Sequence, residues 1–333
     1  MRRLLVPWIL VPGTSPMNCI FPPCRFWLLC LVSLAGANVA RGQSSDLYVV
    51  GFFSSSVQRF SGPATTSPGQ PKPAPGLGGA FFVQPVSRRP WSIAAGPDGN
   101  LYVADLYGFG SGTGTVMRIG PAGGTSTVIV NDGGASSLVF APSGALLAGF
   151  NGEIRGYDPR TGASLGIFAS GGPLAQAHGM AIGPDRQLWV VSSGAFDASA
   201  SRLIRYDALT GALLGAMELV DPSAGSVGLP YNLGFDRTGS IYIATADGFI
   251  LRFHGPLSSQ PGSPFPAPGL RGAVFAYLGT AVFALAAGPD GRMYASFGGS
   301  DAGAVARFDP ETGGGEVFVA NVQGGPRGLV FFP

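Results

Sequence analysis

The chain has 333 residues and a formal net charge of +2, from 20 basic and 18 acidic side chains. Three of the basic residues (Arg2, Arg3, Arg25) and none of the acids lie in the first forty positions, so the remainder carries a formal charge of −1. That remainder holds a single lysine, Lys72, and one basic doublet, Arg88-Arg89; without a patch that neutralises a run of phosphates, nucleic-acid binding is excluded.

The N-terminal segment reads as a secretory signal peptide over residues 1–40, with Met17 as an alternative start. Arg25 precedes the apolar run Phe26–Ala37, and small residues follow at Ala35-Gly36-Ala37 and Ala40. The run is too short to cross a bilayer as a helix, which takes about 20 residues. All three cysteines, Cys19, Cys24 and Cys30, fall in this segment, so the exported body uses neither disulfides nor a thiolate zinc site. The expectation is a periplasmic or extracellular protein, with no membrane span in the mature chain, acting as a monomer.

From residue 45 to residue 333 one phrase recurs. Ile93-Ala-Ala-Gly-Pro-Asp-Gly-Asn-Leu-Tyr-Val103, Met180–Val190 and Leu285–Ala295 are close copies; Leu138–Ala148 and Leu233–Ile243 are weaker ones. A sixth copy is split between the end of the chain, Leu329–Pro333, and Leu47–Val50. Each copy predicts a strand (Ser92–Ala95), a Gly-Pro-Asp-Gly turn whose proline and Asp-Gly suit a hairpin, and a second strand (Leu101–Ala104). Third strands follow at Val116–Ile119, Leu203–Tyr206, Ile250–Phe253 and Val305–Phe308. After a second turn such as Asp207-Ala-Leu-Thr-Gly211 come fourth strands at Ser126–Val130, Ser164–Phe168, Leu213–Glu218 and Glu316–Ala320. Four antiparallel strands per repeat and six repeats predict an all-β, six-bladed β-propeller, with the terminal strands Gly328–Phe332 and Leu47–Val50 sharing one blade.

Two blades carry long proline-rich loops between their third and fourth strands. Phe60–Val83 and Phe253–Ala276 align without gaps, and Pro73–Leu77 matches Pro266–Leu270. They read as extended surface segments, either a duplicated spacer or a pair of binding arms on opposite parts of the ring.

The phrases Pro90–Asp105 and Ala177–Val190 resemble NHL-type repeats and those of the streptogramin (virginiamycin B) lyase and gluconolactonase-like propellers. The resemblance covers about residues 45–333. It implies a six-bladed propeller and leaves activity open among lyases, lactonases and non-catalytic binding proteins. It also places ligand groups where the first strands begin. Aligned there are Trp91, Ser136, His178, Tyr231, Phe283 and Arg327, with Ser92, Ser137, Gly179, Asn232, Ala284 and Gly328 in the next ring. His178 is the candidate catalytic base, with a rim residue hydrogen-bonded to backbone as the plainer alternative. In the lyase-like families further histidines, carboxylates and a divalent metal would assist it, and the other histidine, His254, follows an outer strand. Asn232 and Asp105 are weak metal candidates, too few for a hard cation that wants several oxygen ligands. Arg327, Trp91 and Tyr231 make either a packed plug or a cup for a polar ligand such as a sugar. The recurring Arg59, Arg118, Arg205, Arg252 and Arg307 read as stems whose guanidinium groups bond loop carbonyls. Asp98, Asp185 and Asp290 read as turn residues rather than calcium ligands.

The leading functional expectation is an exported, non-enzymatic binding or scaffold module that meets a protein or glycan through the channel mouth and the long loops. The alternative is a metal-assisted lyase or lactonase acting in the central channel. No cofactor is required, although a divalent metal belongs to the alternative.

Overall fold

In the run Leu101–Asp105 every side chain is buried: Leu101 and Val103 pack toward one neighbouring sheet, Tyr102 and Ala104 toward the other. A strand apolar on both faces needs a sheet on each side, and repeating that demand six times around an axis produces a ring. The computed structural model describes residues 45–106, 114–194, 197–221, 225–226 and 228–333. The proposed signal peptide and its three cysteines lie outside the described residues.

The first blade contains β1 (Asp46–Gly51), β2 (Ser56–Phe60) and β3 (Phe81–Val83). The second contains β4 (Pro90–Ala95), β5 (Leu101–Asp105), β6 (Val116–Ile119) and β7 (Ser126–Val130). The third is β8 (Ser137–Phe140), β9 (Leu146–Gly149), β10 (Glu153–Tyr157) and β11 (Ser164–Ser170). The fourth is β12 (Ala177–Ile182), β13 (Leu188–Gly194), β14 (Asp197–Tyr206) and β15 (Leu213–Glu218), followed by a small hairpin, β16 (Val220–Asp221) and β17 (Gly225–Ser226). The fifth is β18 (Pro230–Phe235), β19 (Ile241–Thr245), β20 (Phe249–Phe253) and β21 (Val274–Tyr277). The sixth is β22 (Val282–Ala287), β23 (Met293–Gly298), β24 (Ala302–Phe308) and β25 (Gly315–Gln323). The last strand, β26 (Pro326–Phe332), joins the first blade as its inner strand, giving the order β26-β1-β2-β3.

The predicted architecture is therefore the observed one, and the ring closes as expected: Leu47 pairs with Phe331 and Tyr48 with Val330. Inner strands touch in the cycle β26, β4, β8, β12, β18, β22 and back to β26. Six apolar clusters fill the six blade-to-blade joints, for example Leu147, Ile154, Met180 and Val190 between the third and fourth blades. The fourth strands, at the periphery, are largely exposed. The hairpin β16–β17 and the extension of β14 back to Asp197 were not foreseen. The stretch Ser192–Ser201 is rich in Ser, Ala and Gly and carries neither period.

Register fixes two faces. In the second blade Ala95 pairs with Leu101 and Ile119 with Ser126, so the first-to-second and third-to-fourth turns share one end. This is the hairpin face, and the first strands begin at the opposite face. Asp46 pairs with Phe332, so both ends of the propeller chain also leave at the hairpin face.

The turn chemistry repeats from blade to blade. Asp98 accepts a hydrogen bond from the Tyr102 hydroxyl at 2.7 Å, Asp290 from Tyr294 at 2.9 Å, Asp236 from Tyr242 at 3.0 Å, and Asp185 from the Trp189 indole at 3.1 Å. Burial opposes the charge on Asp98, yet the bonds from Asn100 and Tyr102 outweigh it and hold the carboxyl below its ordinary value. These aspartates lock turn to strand.

The two long loops lie on the hairpin face but not on opposite parts of the ring. They belong to the first and fifth blades, with the sixth alone between them. Nor are they simply extended. Each folds back on its own third strand through one bridge, Phe60 to Pro71 and Phe253 to Pro264. An arginine of that strand then clamps the returning chain. Arg59 donates to the Lys72 and Pro73 carbonyls, and Arg252 to the Phe265 and Pro266 carbonyls. Arg118 likewise bonds the Arg160 carbonyl, whereas Arg307 pairs with Glu316 and Asp290. Arg205 lies over the Trp189 ring.

Candidate functional site

The first ring of candidates meets across the axis. Trp91 on the second blade and Tyr231 on the fifth have ring centroids 6.0 Å apart, and Phe283 lies 6.1 Å from Trp91 and 5.3 Å from Tyr231, stacked on the latter. Arg327 lays its guanidinium over Phe283 at 3.6 Å, with Trp91 at 5.4 Å and Phe52 at 5.1 Å. Three rings in mutual contact leave no room for a solute between them. The end at which the first strands begin, expected to be the channel mouth, is shut by this plug. Six large or polar side chains converge there on an axis that six blades keep narrow.

His178 sits beside the plug, 8% exposed, its ring 6.4 Å from Tyr231. Nε2 lies 2.8 Å from the Ser193 hydroxyl on β13, which itself donates to the Gly194 carbonyl at 3.0 Å. When that hydroxyl proton is on the Gly194 carbonyl, the bond to Ser193 calls for the Nε2–H tautomer of the imidazole. Burial drives the imidazole down to about 4, so at neutral pH it is uncharged and a weak base. Its hydrogen bond is to a side chain, not to the backbone as the rim reading supposed. Ser193 escaped sequence analysis because Val191-Ser-Ser-Gly194 reads as the end of a strand.

The second ring is a belt that ties each blade to the next. The Ser92 Oγ accepts from Leu138 N at 3.1 Å, and the Ser137 Oγ donates to the Ala177 carbonyl at 2.7 Å. Ser136 reaches the same carbonyl at 2.6 Å. Asn232 Oδ1 accepts from Leu285 N at 3.1 Å, and Ser296 on β23 donates to the Arg327 carbonyl. At the remaining two joints a glycine allows backbone to meet backbone. A Cβ on Gly179 would lie 2.6 Å from Asn232 Cα, and one on Gly328 would lie 2.9 Å from the Trp91 carbonyl oxygen. Asn232 thus has a structural partner. Its replacement by alanine leaves Leu285 N without an acceptor and is expected to cost about 1–2 kcal/mol, read as a lower urea midpoint that added calcium, magnesium or manganese does not restore.

Asp105, 5% exposed, accepts from Arg89 N at 3.2 Å on the second blade, across the axis from Asn232. The described residues contain no cluster of three or more His, Cys, Asp or Glu side chains suited to a metal.

Below the plug the channel opens toward the hairpin face as a cavity of about 410 Å³. Its walls are mostly apolar, including Leu138, Met180, Ile182 and Leu285, with Ser92, Ser137 and Asn232 at the inner end. Of the ligand-channel candidates Trp91, Ser136, His178, Tyr231, Asn232 and Arg327, only Asn232 borders it. A second cavity of about 550 Å³ lies on the same face, between the fifth blade's loop and the turn Pro310-Glu311 of the sixth. His254 stacks on Phe265 there at 4.3 Å, Arg252 lies over the same ring at 4.0 Å, and Leu257 is 71% exposed. In the first blade the position of Phe265 is taken by Lys72, which pairs with Asp46 at 2.6 Å. The two loops align in sequence, but nothing in that alignment signals that residues at which they differ line a cavity.

No protein-family model matches this chain, and no curated protein matches it. Among solved structures, a chain from a nidogen/laminin complex is similar at a TM-score of 0.63 and 14% identity, covering 87% of this chain and 98% of that one. A protein of unknown function from Bacteroides caccae gives 0.56 and 14%, covering 87% and 99%. Virginiamycin B lyase from Staphylococcus aureus gives 0.49 and 13%, covering 73% and 77%. The resemblance read from the repeats holds at the level of the fold.

Proposed function

We propose that the chain is an exported, non-enzymatic binding module that engages a protein partner through its hairpin face. One observation carries the reading: both long loops, the open end of the channel and the second cavity all lie on that face, while the opposite end of the axis is plugged. The loops are held by arginine clamps, so they offer a prearranged surface whose exposed Leu257 and Leu270 suit apolar contact with a protein. A chain of the nidogen/laminin complex shares the fold, so a protein partner lies within what this fold supports. His178, the one imidazole near the channel, is buried, weakly basic and bonded to a serine, which disfavours the lyase or lactonase alternative.

The test takes the double variant Leu257→Asp, Leu270→Asp beside the parent. Partners cross-linked from the exported fraction, and glycans retained on an array, are compared between the two. Partners kept by the parent and lost by the variant support the reading; glycans lost in the same way would change the partner class. The parent is also melted with EDTA and with each divalent ion, and assayed on lactones and cyclic esters. An ion-dependent rise in Tm together with turnover would replace binding by the metal-assisted alternative.

A further inference from the structure

Arg327 is a buried cation on the axis. It is 9% exposed, and no acidic side chain pairs with it among the described residues. Nη1 donates to the Pro326 carbonyl at 3.0 Å, while the buried Nε has no acceptor. A buried cation without a counter-charge is costly. The rings of Phe283, Phe52, Trp91 and, at 5.9 Å, Phe53 offset part of that cost. Those contacts stabilise the charge without supplying an acceptor for its N–H groups. A guanidinium's N–H donors point outward in its plane, and among the described residues only the Pro326 carbonyl meets them. Such a group is complementary to a planar oxyanion that takes two donors at once.

We propose that Arg327 anchors a carboxylate-binding site on the face opposite the loops, taking a small carboxylate with an aromatic body. The oxygens bridge the in-plane N–H groups, and the body lies against the outer, solvent-facing side of the closed cluster of Trp91, Tyr231 and Phe283, each of which is only half-buried, not between the rings. Phe53, 56% exposed in the turn after β1, is the ring that swings aside to admit the ligand. The site is separate from the hairpin-face contact and does not depend on it.

The test titrates the whole protein with benzoate, with its neutral counterpart benzamide and with acetate, at constant ionic strength, reading Tm and calorimetric heat. Benzoate is expected to raise Tm to saturation, benzamide to leave it unchanged, and acetate to bind more weakly than benzoate. Arg327→Met, which keeps the length and apolar contact of the stem, is expected to weaken benzoate binding about 100-fold and to melt no lower than the parent. Arg327→Lys keeps the charge but loses the fork, so it should also bind poorly; it serves if the methionine variant does not fold. Equal effects of benzoate and benzamide, or an undiminished benzoate response in both variants, would overturn the proposal and leave Arg327 as part of a plug. Acetate binding as tightly as benzoate would overturn the aromatic-body assignment.

Discussion

Ending the chain at Gly325 is expected to abolish cooperative folding. The missing strand, β26, is the inner strand of the first blade, continuous with the sixth blade and hydrogen-bonded to β1, so it is the element that ties the end of the chain back to its start. It carries Leu329, Val330, Phe331 and Phe332 into the two joints flanking that blade. Full burial of an apolar side chain of this size contributes roughly 1.5–3 kcal/mol; Leu329 is buried and Val330, Phe331 and Phe332 are partly buried, so together they supply a substantial part of the net stability of about 5–15 kcal/mol typical of a domain. The loss is larger than this sum, because β1 is left with an open edge and the belt is cut at both of its Arg327–Gly328 joints. Circular dichroism during urea unfolding and size-exclusion chromatography would check it. A truncated chain that still shows one sharp transition near the parent midpoint would mean that five and three-quarter blades suffice and that the shared blade is not what holds the ring.

The second large effect is a pH dependence centred on His178. In the folded protein burial holds its pKa at about 4; unfolded, it returns to about 6.5. Its folded value is depressed, so between those two limits the unfolded chain takes up a proton that the folded chain does not. The neutral imidazole's contribution is complete above about pH 6.5 and is lost as pH falls toward 4. At pH 5 the loss is about 2 kcal/mol, from roughly 1.5 pKa units at about 1.4 kcal/mol each. Urea midpoints measured at pH 7.5 and pH 5 should therefore fall further in the parent than in His178→Gln, whose amide does not titrate. Parallel declines would show that the imidazole is protonated without penalty in the fold.

Much of the fold is legible in the repeats because strand and turn signals coincide. Gly96-Pro-Asp-Gly99 marks a hairpin, and the Leu-Tyr-Val phrase after it buries alternate residues on two sides, which only a stacked sheet permits. The split copy alone implies the shared blade. What local pattern cannot convey is the distance across the ring. The alignment put Trp91, Tyr231, Phe283 and Arg327 on one level, but whether they line an opening or fill it depends on blade number and side-chain volume together. The same limit applies to the loops. Their equivalence is plain in sequence, whereas their separation by a single blade follows from where the split copy joins. The partnership of His178 with Ser193 depends on a hydroxyl from an adjacent strand, fifteen residues away, in a stretch with no period to align. The belt was written into the second ring as Ser92, Ser137 and Asn232, yet small polar residues at strand starts are too common to announce inter-blade bonding.

Asp46 and Phe332 are paired at the hairpin face, and this has a bearing on how the molecule can be held. Anything fused to either end of the propeller emerges beside the long loops and the open channel. A support or tag attached at a terminus therefore presents the plugged face outward and crowds the proposed partner surface. A single cysteine placed in the exposed turn at Asn151, between β9 and β10 on the far side, reverses that orientation. Immobilised through the two kinds of attachment in turn, the same protein becomes its own control: partners of the loops should be captured only from the second support, and carboxylates of the plug end more readily from the first.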